Sequence, residues 1–243
     1  MRIQFLSVSC ALALFASPAY ALDAKGFYVQ ASAGGSWAET LNFNVATTPN
    51  PTHHGLKAMH KSGHNLSIAV GRDFGLFRIE GEYSERANPI SSLVATAPAK
   101  IPLGYVKGGV APYQTAGTFS ALSGSTISRS AMINAYVQVG KPSATRFYAG
   151  GGVGFDRTYA RGYTAKSIFP TMVTTLQAVR DHDDGFAWQA MGGAREPIGD
   201  HVEIGLRYGF YRARNIQLND TLNRGLHGWL TMQSVQATLG YRF

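Results

Sequence analysis

The 243-residue chain carries 22 Lys and Arg against 14 Asp and Glu, a formal net charge of +8, with 28 glycines, 12% aromatic residues and one cysteine. A single cysteine excludes a disulfide framework. Beyond residue 21 there is no run of 18 apolar residues, which excludes a transmembrane helix, and the Gly- and aromatic-rich composition favours β-structure.

Residues 1–21 read as a secretory leader. Arg2 gives the positive start, Ile3 to Ala16 an apolar run too short to span a bilayer, and Ala19-Tyr20-Ala21 a small-x-small cleavage site after Ser17-Pro18. Cys10 lies inside it, and the preceding Ser7-Val8-Ser9 lacks a lipoprotein pattern, so no lipid anchor is expected. Losing Arg2 with the leader lowers the net charge from +8 to +7. A basic chain suits nucleic acid, but an exported one meets a phosphate-rich membrane surface instead, so no nucleic-acid partner is expected. Residues 22–243 are then one domain.

Eight alternating segments follow. Gly26 to Trp37 sets Phe27, Val29, Ala31 and Ala33 opposite Tyr28, Gln30 and Ser32. Asn65 to Asp73 sets Leu66, Ile68 and Val70 opposite Asn65, Ser67 and Ala69. Leu76 to Arg86 sets Phe77, Ile79, Gly81 and Tyr83 opposite Arg78, Glu80, Glu82 and Ser84. Ser128 to Val139, Arg146 to Tyr159, Gly185 to Arg195 and His201 to Arg214 continue the pattern. The last, Trp229 to Phe243, sets Val235, Ala237, Leu239, Tyr241 and Phe243 against Ser234, Gln236, Thr238, Gly240 and Arg242. About ten residues of period-two alternation is the length of a tilted membrane strand. Charges at every second position cannot face lipid, so the polar face lines an interior and the sheet must close.

The connections alternate in length. Asp73-Phe74-Gly75, Gly140-Lys141-Pro142-Ser143 and Glu196-Pro197-Ile198-Gly199 are tight-turn compositions, while residues 38–64, 87–127, 160–184 and 215–228 are long. A soluble eight-stranded barrel would turn its apolar face inward and would not alternate its loops this way. The expected fold is all-β: an eight-stranded antiparallel up-and-down transmembrane barrel with short periplasmic turns, periplasmic termini and four long extracellular loops.

With this architecture and the ending Tyr241-Arg242-Phe243, the chain resembles the eight-stranded family of outer-membrane protein A transmembrane domains and opacity-type surface proteins. The resemblance implies the bacterial outer membrane. It implies that Leu239, Tyr241 and Phe243 address the barrel-assembly machinery. It implies a structural and surface-interaction role, adhesin- or antigen-like, carried by loops that meet a host or envelope partner. It brings no catalytic motif and no cofactor. The alternative is a narrow porin-like channel through the lumen.

By the alternation, Arg78, Glu80, Glu82, Arg146, Asp156, Arg195, Glu203, Arg207 and Arg242 point into the lumen, with Tyr136, Tyr148, Gln189, Tyr211 and Gln236. Eight strands leave room only for side chains, so these read as a plugged polar core. Inward Gly34, Gly150, Gly152, Gly154, Gly205 and Gly209 would leave space and keep a gated ionic path open as a reading. Aromatics gather at strand ends: Phe27, Phe77, Phe147, Tyr241 and Phe243 at one, Trp37, Phe155, Phe186, Trp188, Phe210 and Trp229 at the other. Beyond the second girdle, Arg86, Arg129, Arg157, Arg161, Arg212 and Arg214 form a candidate ring for lipopolysaccharide phosphates, set against a merely solvated basic rim.

Two constellations point toward chemistry and are set aside. His53, His54, His60 and His64 lack a carboxylate at ligand spacing, so no metal is expected. Asp181-His182-Asp183-Asp184 evokes the Asp–Asp and Asp–His couples of omptin-type proteases, but those stand on opposite walls of ten-stranded barrels, and a solvated acidic turn explains one cluster. No enzyme is expected. The loop at 87–127 has no acidic residue, only Lys100 and Lys107, and its segments Ile90 to Val94 and Ile101 to Val110 are apolar, suiting a partner contact or a lid.

Overall fold

The computed structural model describes residues 26–47, 51–96, 99, 101–103, 113–140, 144–168, 173–220 and 223–243. The leader, Lys100, Lys107 and most of Ile101 to Val110 lie outside the described residues, as do Lys141, Pro142 and Ser143 of the second short turn. Among the described residues there are twelve strands: β1 (Phe27–Ala38), β2 (Leu41–Val45), β3 (Thr52–His60), β4 (Gly63–Asp73), β5 (Phe77–Ala95), β6 (Ile101–Leu103), β7 (Tyr113–Thr115), β8 (Gly117–Val139), β9 (Arg146–Ile168), β10 (Val173–Ile198), β11 (Val202–Asn219) and β12 (Gly225–Arg242).

Eight of them close a ring. Antiparallel neighbours run β1-β4-β5-β8-β9-β10-β11-β12, and β12 returns to β1 from Tyr28↔Arg242 to Ala38↔Met232. Closure leaves no unpaired edge, which a bilayer requires because lipid supplies no hydrogen-bond partner. No helix among the described residues is long and apolar enough to cross a membrane.

The long connections differ from expectation: they are largely strand. β5 runs past Arg86 to Ala95, β8 starts at Gly117, β9 extends to Ile168 and β11 to Asn219. Residues 38–64 fold back as the β2–β3 hairpin, which takes the place of β1 and β4 above the first tier. There β2 pairs with β12 at Leu226↔Val45, and β3 pairs with β5 from Leu56↔Ala95 to His60↔Ile90. A second tier of wall therefore continues the barrel at the end away from the termini.

The two tiers are chemically inverted. In the first, Val29, Leu66, Ile68, Ile133, Val153, Leu206 and Leu239 are exposed on the outer face. In the second, the outward positions are polar, among them Asn42, Gln217, Asn219 and His227, and the inward ones are apolar. Leu41, Phe43, Val45, Leu56, Leu93, Ile216, Leu218, Leu226 and Leu230, each at most 2% exposed, form a core inside the upper ring. β12 makes the change in one strand without changing parity: Leu226, Leu230 and Met232 are buried above, Ser234, Gln236 and Thr238 below. The girdle at Trp37, Phe155, Phe186 and Trp229 marks the boundary.

This core holds the β2–β3 hairpin in place. Phe43→Ala removes a fully buried ring and should cost about 3–5 kcal/mol locally. The expected outcome is rapid hydrogen exchange over residues 39–62, while the first tier keeps its heat-dependent gel shift.

Candidate functional site

In the first tier, alternate residues of β5 enter the lumen, and every one from Arg78 to Asn88 is buried. Glu80 accepts hydrogen bonds from the Tyr28 hydroxyl at 2.7 Å, from Asn134 at 3.1 Å and from Tyr136. Glu82 pairs with Arg207 at 2.5 Å, and Arg207 also donates to Ser67 at 2.9 Å and to Gln236 at 2.9 and 3.2 Å. Nearer the loop end, Asp156 accepts from the Ser128 and Thr158 hydroxyls. At the base, Glu203 takes Arg78 at 3.1 Å, Arg146 at 2.8 Å and Arg242, while Arg195 donates to Gln138. Asp73 and Gln138 join this cluster, with Gln138 donating to Asp73 at 2.7 Å. Asp73, at the junction of the second alternating segment and its turn, is absent from the expected lumen set; its parity with Ser67 and Ala69, both inward on β4, places it there.

Two expectations are corrected. Arg86 does not belong to the outer rim. It is 3% exposed inside the lumen, donating to Ser84 at 2.7 Å, Ser130 at 3.0 Å and Gln189 at 2.8 Å, with its guanidinium 4.0 Å over the Tyr211 ring. Its parity with Arg78, Glu80 and Glu82 dictates this. The inward glycines do not leave space either. A Cβ at Gly152 would collide with Asn134, and one at Gly34 with the Val235 carbonyl, so these positions let strands and side chains approach closely.

The remaining rim arginines face outward on β8, β9 and β11. Arg129 bonds Glu85 at 2.6 Å, and Arg157 holds Asp184 through two nitrogens at 2.5 and 2.7 Å. Arg161 is exposed. Arg212 and Arg214 both lie against the Trp229 ring, 4.5 and 5.1 Å from its centroid. Leu239, Tyr241 and Phe243 are exposed on the outer face at the base, the last two in edge contact at 5.4 Å.

The acidic cluster serves the wall. β10 and β11 pair up to Ala187↔Ala213 and meet again only at Val179↔Asp220. Across the unpaired stretch Asp183 accepts the Gln217 amide at 2.8 Å, and Asp181 accepts the Asn219 amide at 2.8 Å. Side-chain carboxylates thus stand in for absent backbone carbonyls. Burial raises the Asp183 carboxyl above its ordinary range. A cavity of about 410 Å³ lies beside this seam, lined by Asp181, His182, Asp183, Asn219 and His227. The histidines of residues 38–64 are not gathered: His53, His54 and His64 are exposed, while His60 turns to Thr126 at 2.7 Å, and burial pushes its imidazole down to about 4. No group of three or more potential metal ligands occurs among the described residues.

A closed β-ring with an apolar outer belt, aromatic girdles and a polar interior defines an integral outer-membrane barrel. The family model for the outer membrane protein beta-barrel domain matches residues 7–243, and the chain belongs to that family, whose place is the bacterial outer membrane. Its fold is similar to that of Neisserial surface protein A, at 12% identity and TM-score 0.50 over 90% of this chain and 97% of that one. It is likewise similar to the outer membrane protein OprG from Pseudomonas aeruginosa, at 13% identity and TM-score 0.52 over 90% and 96%. At such identities the likeness carries the fold alone. No curated protein matches the chain.

Arg207 is the hub of the middle lumen. Arg207→Met removes the guanidinium that contacts Glu82 directly, leaving it Arg86 at 3.9 Å and Gln189 at 3.4 Å, and should cost about 3 kcal/mol. Urea titration of the refolded barrel, followed by the heat-dependent gel shift, would register that loss as a lower midpoint.

Proposed function

We propose that this chain is a non-catalytic, surface-exposed structural and interaction protein. Its termini and short turns face the periplasm, and its second tier stands outside the cell. One observation carries the reading: the lumen is filled twice over. The charged layers from Asp73 to Asp156 occupy the first tier, and the apolar core around Phe43, Leu226 and Leu230 fills the second. A path for ions would have to cross both, and the apolar layer offers no polar partner to a dehydrating ion. What remains available is the outer face of the second tier and its tips, where a host or envelope partner would bind.

Supporting contacts are of two kinds. Arg161, Arg212 and Arg214 are the rim arginines best disposed toward lipopolysaccharide phosphates, since Arg129 and Arg157 already hold carboxylates. Arg212 and Arg214 flank Trp229 at headgroup depth, a geometry that holds guanidinium groups beside lipid phosphates. Leu239, Tyr241 and Phe243 offer the exposed alternate-residue pattern proposed to engage the barrel-assembly machinery.

The refolded barrel in a planar bilayer should be electrically silent while still showing its gel shift. Steady single-channel steps that vanish in Glu80→Gln would replace this reading with the channel. Separately, Arg161→Glu, Arg212→Glu and Arg214→Glu combined should lower co-purifying lipopolysaccharide several-fold, because each charge-assisted phosphate bond contributes about 1.5–3 kcal/mol. Unchanged lipopolysaccharide content would remove that partner.

A further inference from the structure

We infer that the base of the lumen is a binding site for a phosphate-type oxyanion, taken from the aqueous phase at the end that carries the termini. Among the described residues this layer holds four guanidinium groups, those of Arg78, Arg146, Arg195 and Arg242, against two carboxylates, Asp73 and Glu203. Two positive charges are left over. Arg78 is 1% exposed, Arg146 4% and Arg195 7%, so solvent does not screen the excess.

The hydrogen-bond inventory leads to the same place. Asp73 already accepts four bonds, from the Gly75 amide at 2.8 Å, Gln138 at 2.7 Å, Arg146 at 3.3 Å and Arg242 at 3.5 Å. Glu203 accepts three, from Arg78, Arg146 and Arg242. A carboxylate offers about four acceptor positions, so the pair has one to spare. Five guanidinium nitrogens nevertheless have no acceptor among the described residues: Nε and Nη1 of Arg78 and Nε of Arg146, Arg195 and Arg242. Nε of Arg78 lies 4.0 Å from Asp73, too far for a bond. In the next layer Glu80 has its acceptor positions taken by Tyr28, Tyr136 and Asn134, but these donors are neutral, so its charge offsets one of the two and leaves a net excess of one positive charge.

Chemistry selects the ligand. A water molecule brings acceptors but no charge, and a halide brings one charge on a single centre. Inorganic phosphate carries about one to two negative charges near neutral pH on several acceptor oxygens, meeting both the residual positive charge and the multiple donors. The site is preorganised: Arg78 stacks 3.5 Å from the centroid of Tyr28 and Arg195 4.9 Å from that of Tyr148, so the guanidinium planes are fixed before an anion arrives. Arg242, one-quarter exposed, supplies the way in.

The test uses the refolded barrel in maltoside detergent, free of phospholipid. Equilibrium dialysis against radiolabelled inorganic phosphate, at constant ionic strength set with chloride, should show saturable uptake of one phosphate per barrel. Sulfate should compete. Arg242→Gln and Arg195→Gln, each checked for folding by gel shift, should weaken that uptake about tenfold, the loss of one charge-assisted bond. The rim variant Arg161→Gln should not change it. Absence of saturable phosphate in the folded wild-type barrel overturns the proposal, as does uptake by both lumen variants that is undiminished from wild type. Displacement of phosphate by added phosphatidylglycerol would also overturn it, by making the ligand a lipid headgroup rather than a dissolved anion.

Discussion

The wall of this protein has to satisfy its backbone against two different solvents. In the first tier the outer solvent is lipid, which bonds no amide, and the only arrangement that leaves no amide unpaired is the closed ring sealed by β1 and β12. In the second tier the outer solvent is water, and the ring can afford an opening. The chain meets both conditions by keeping side-chain parity through the boundary and inverting the chemistry. Leu226 and Leu230 face in above the girdle, and Leu239 faces out below it. The remaining features follow from that inversion, including what fills each half of the lumen.

A lumen of eight strands is too narrow to be left to water, so its filling decides stability as much as the lipid belt does. The lower half is occupied by ions, most of them bonded several times. Isolated buried pairs seldom stabilise a fold, but a network in which each charge has multiple partners lowers the desolvation penalty shared by all. Arg207 illustrates this, touching Glu82, Ser67 and Gln236 from three different strands. The same logic makes the base layer conspicuous, since there the donors outnumber the acceptors.

The barrel itself was legible because its signal is local. Period-two alternation and short turns are written into consecutive residues, and polar faces carrying Arg78, Glu80 and Glu82 cannot be read as lipid-facing. The second tier was not legible as wall. Residues such as Leu41, Phe43 and Leu56 alternate over too few positions to announce a strand, and their pairing with β12 and β5 is long-range. Arg86 was misplaced for a different reason: depth along the strand was weighed above parity, although parity fixes which solvent a side chain meets. The glycines misled because a sequence shows the missing side chain and not the carbonyl that occupies its place.

The seam between β10 and β11 shows how the second tier tolerates what the first cannot. The bulge at Arg214 and Asn215, where Asn215 adopts φ of 53°, carries β11 out of register, and its ladder to β10 ends. In lipid such a gap would leave several amides unpaired at a few kcal/mol each. Above the girdle, Asp181 and Asp183 reach across and accept the Gln217 and Asn219 amides, and water reaches whatever they leave. A side-chain bridge is longer and has more rotatable bonds than a backbone ladder, so this stretch is a less stiff join than the continuous ladders below the girdle. The gap can exist only on the aqueous side of the girdle, and the acidic cluster lies where the wall has left the bilayer and water can complete its hydrogen bonding.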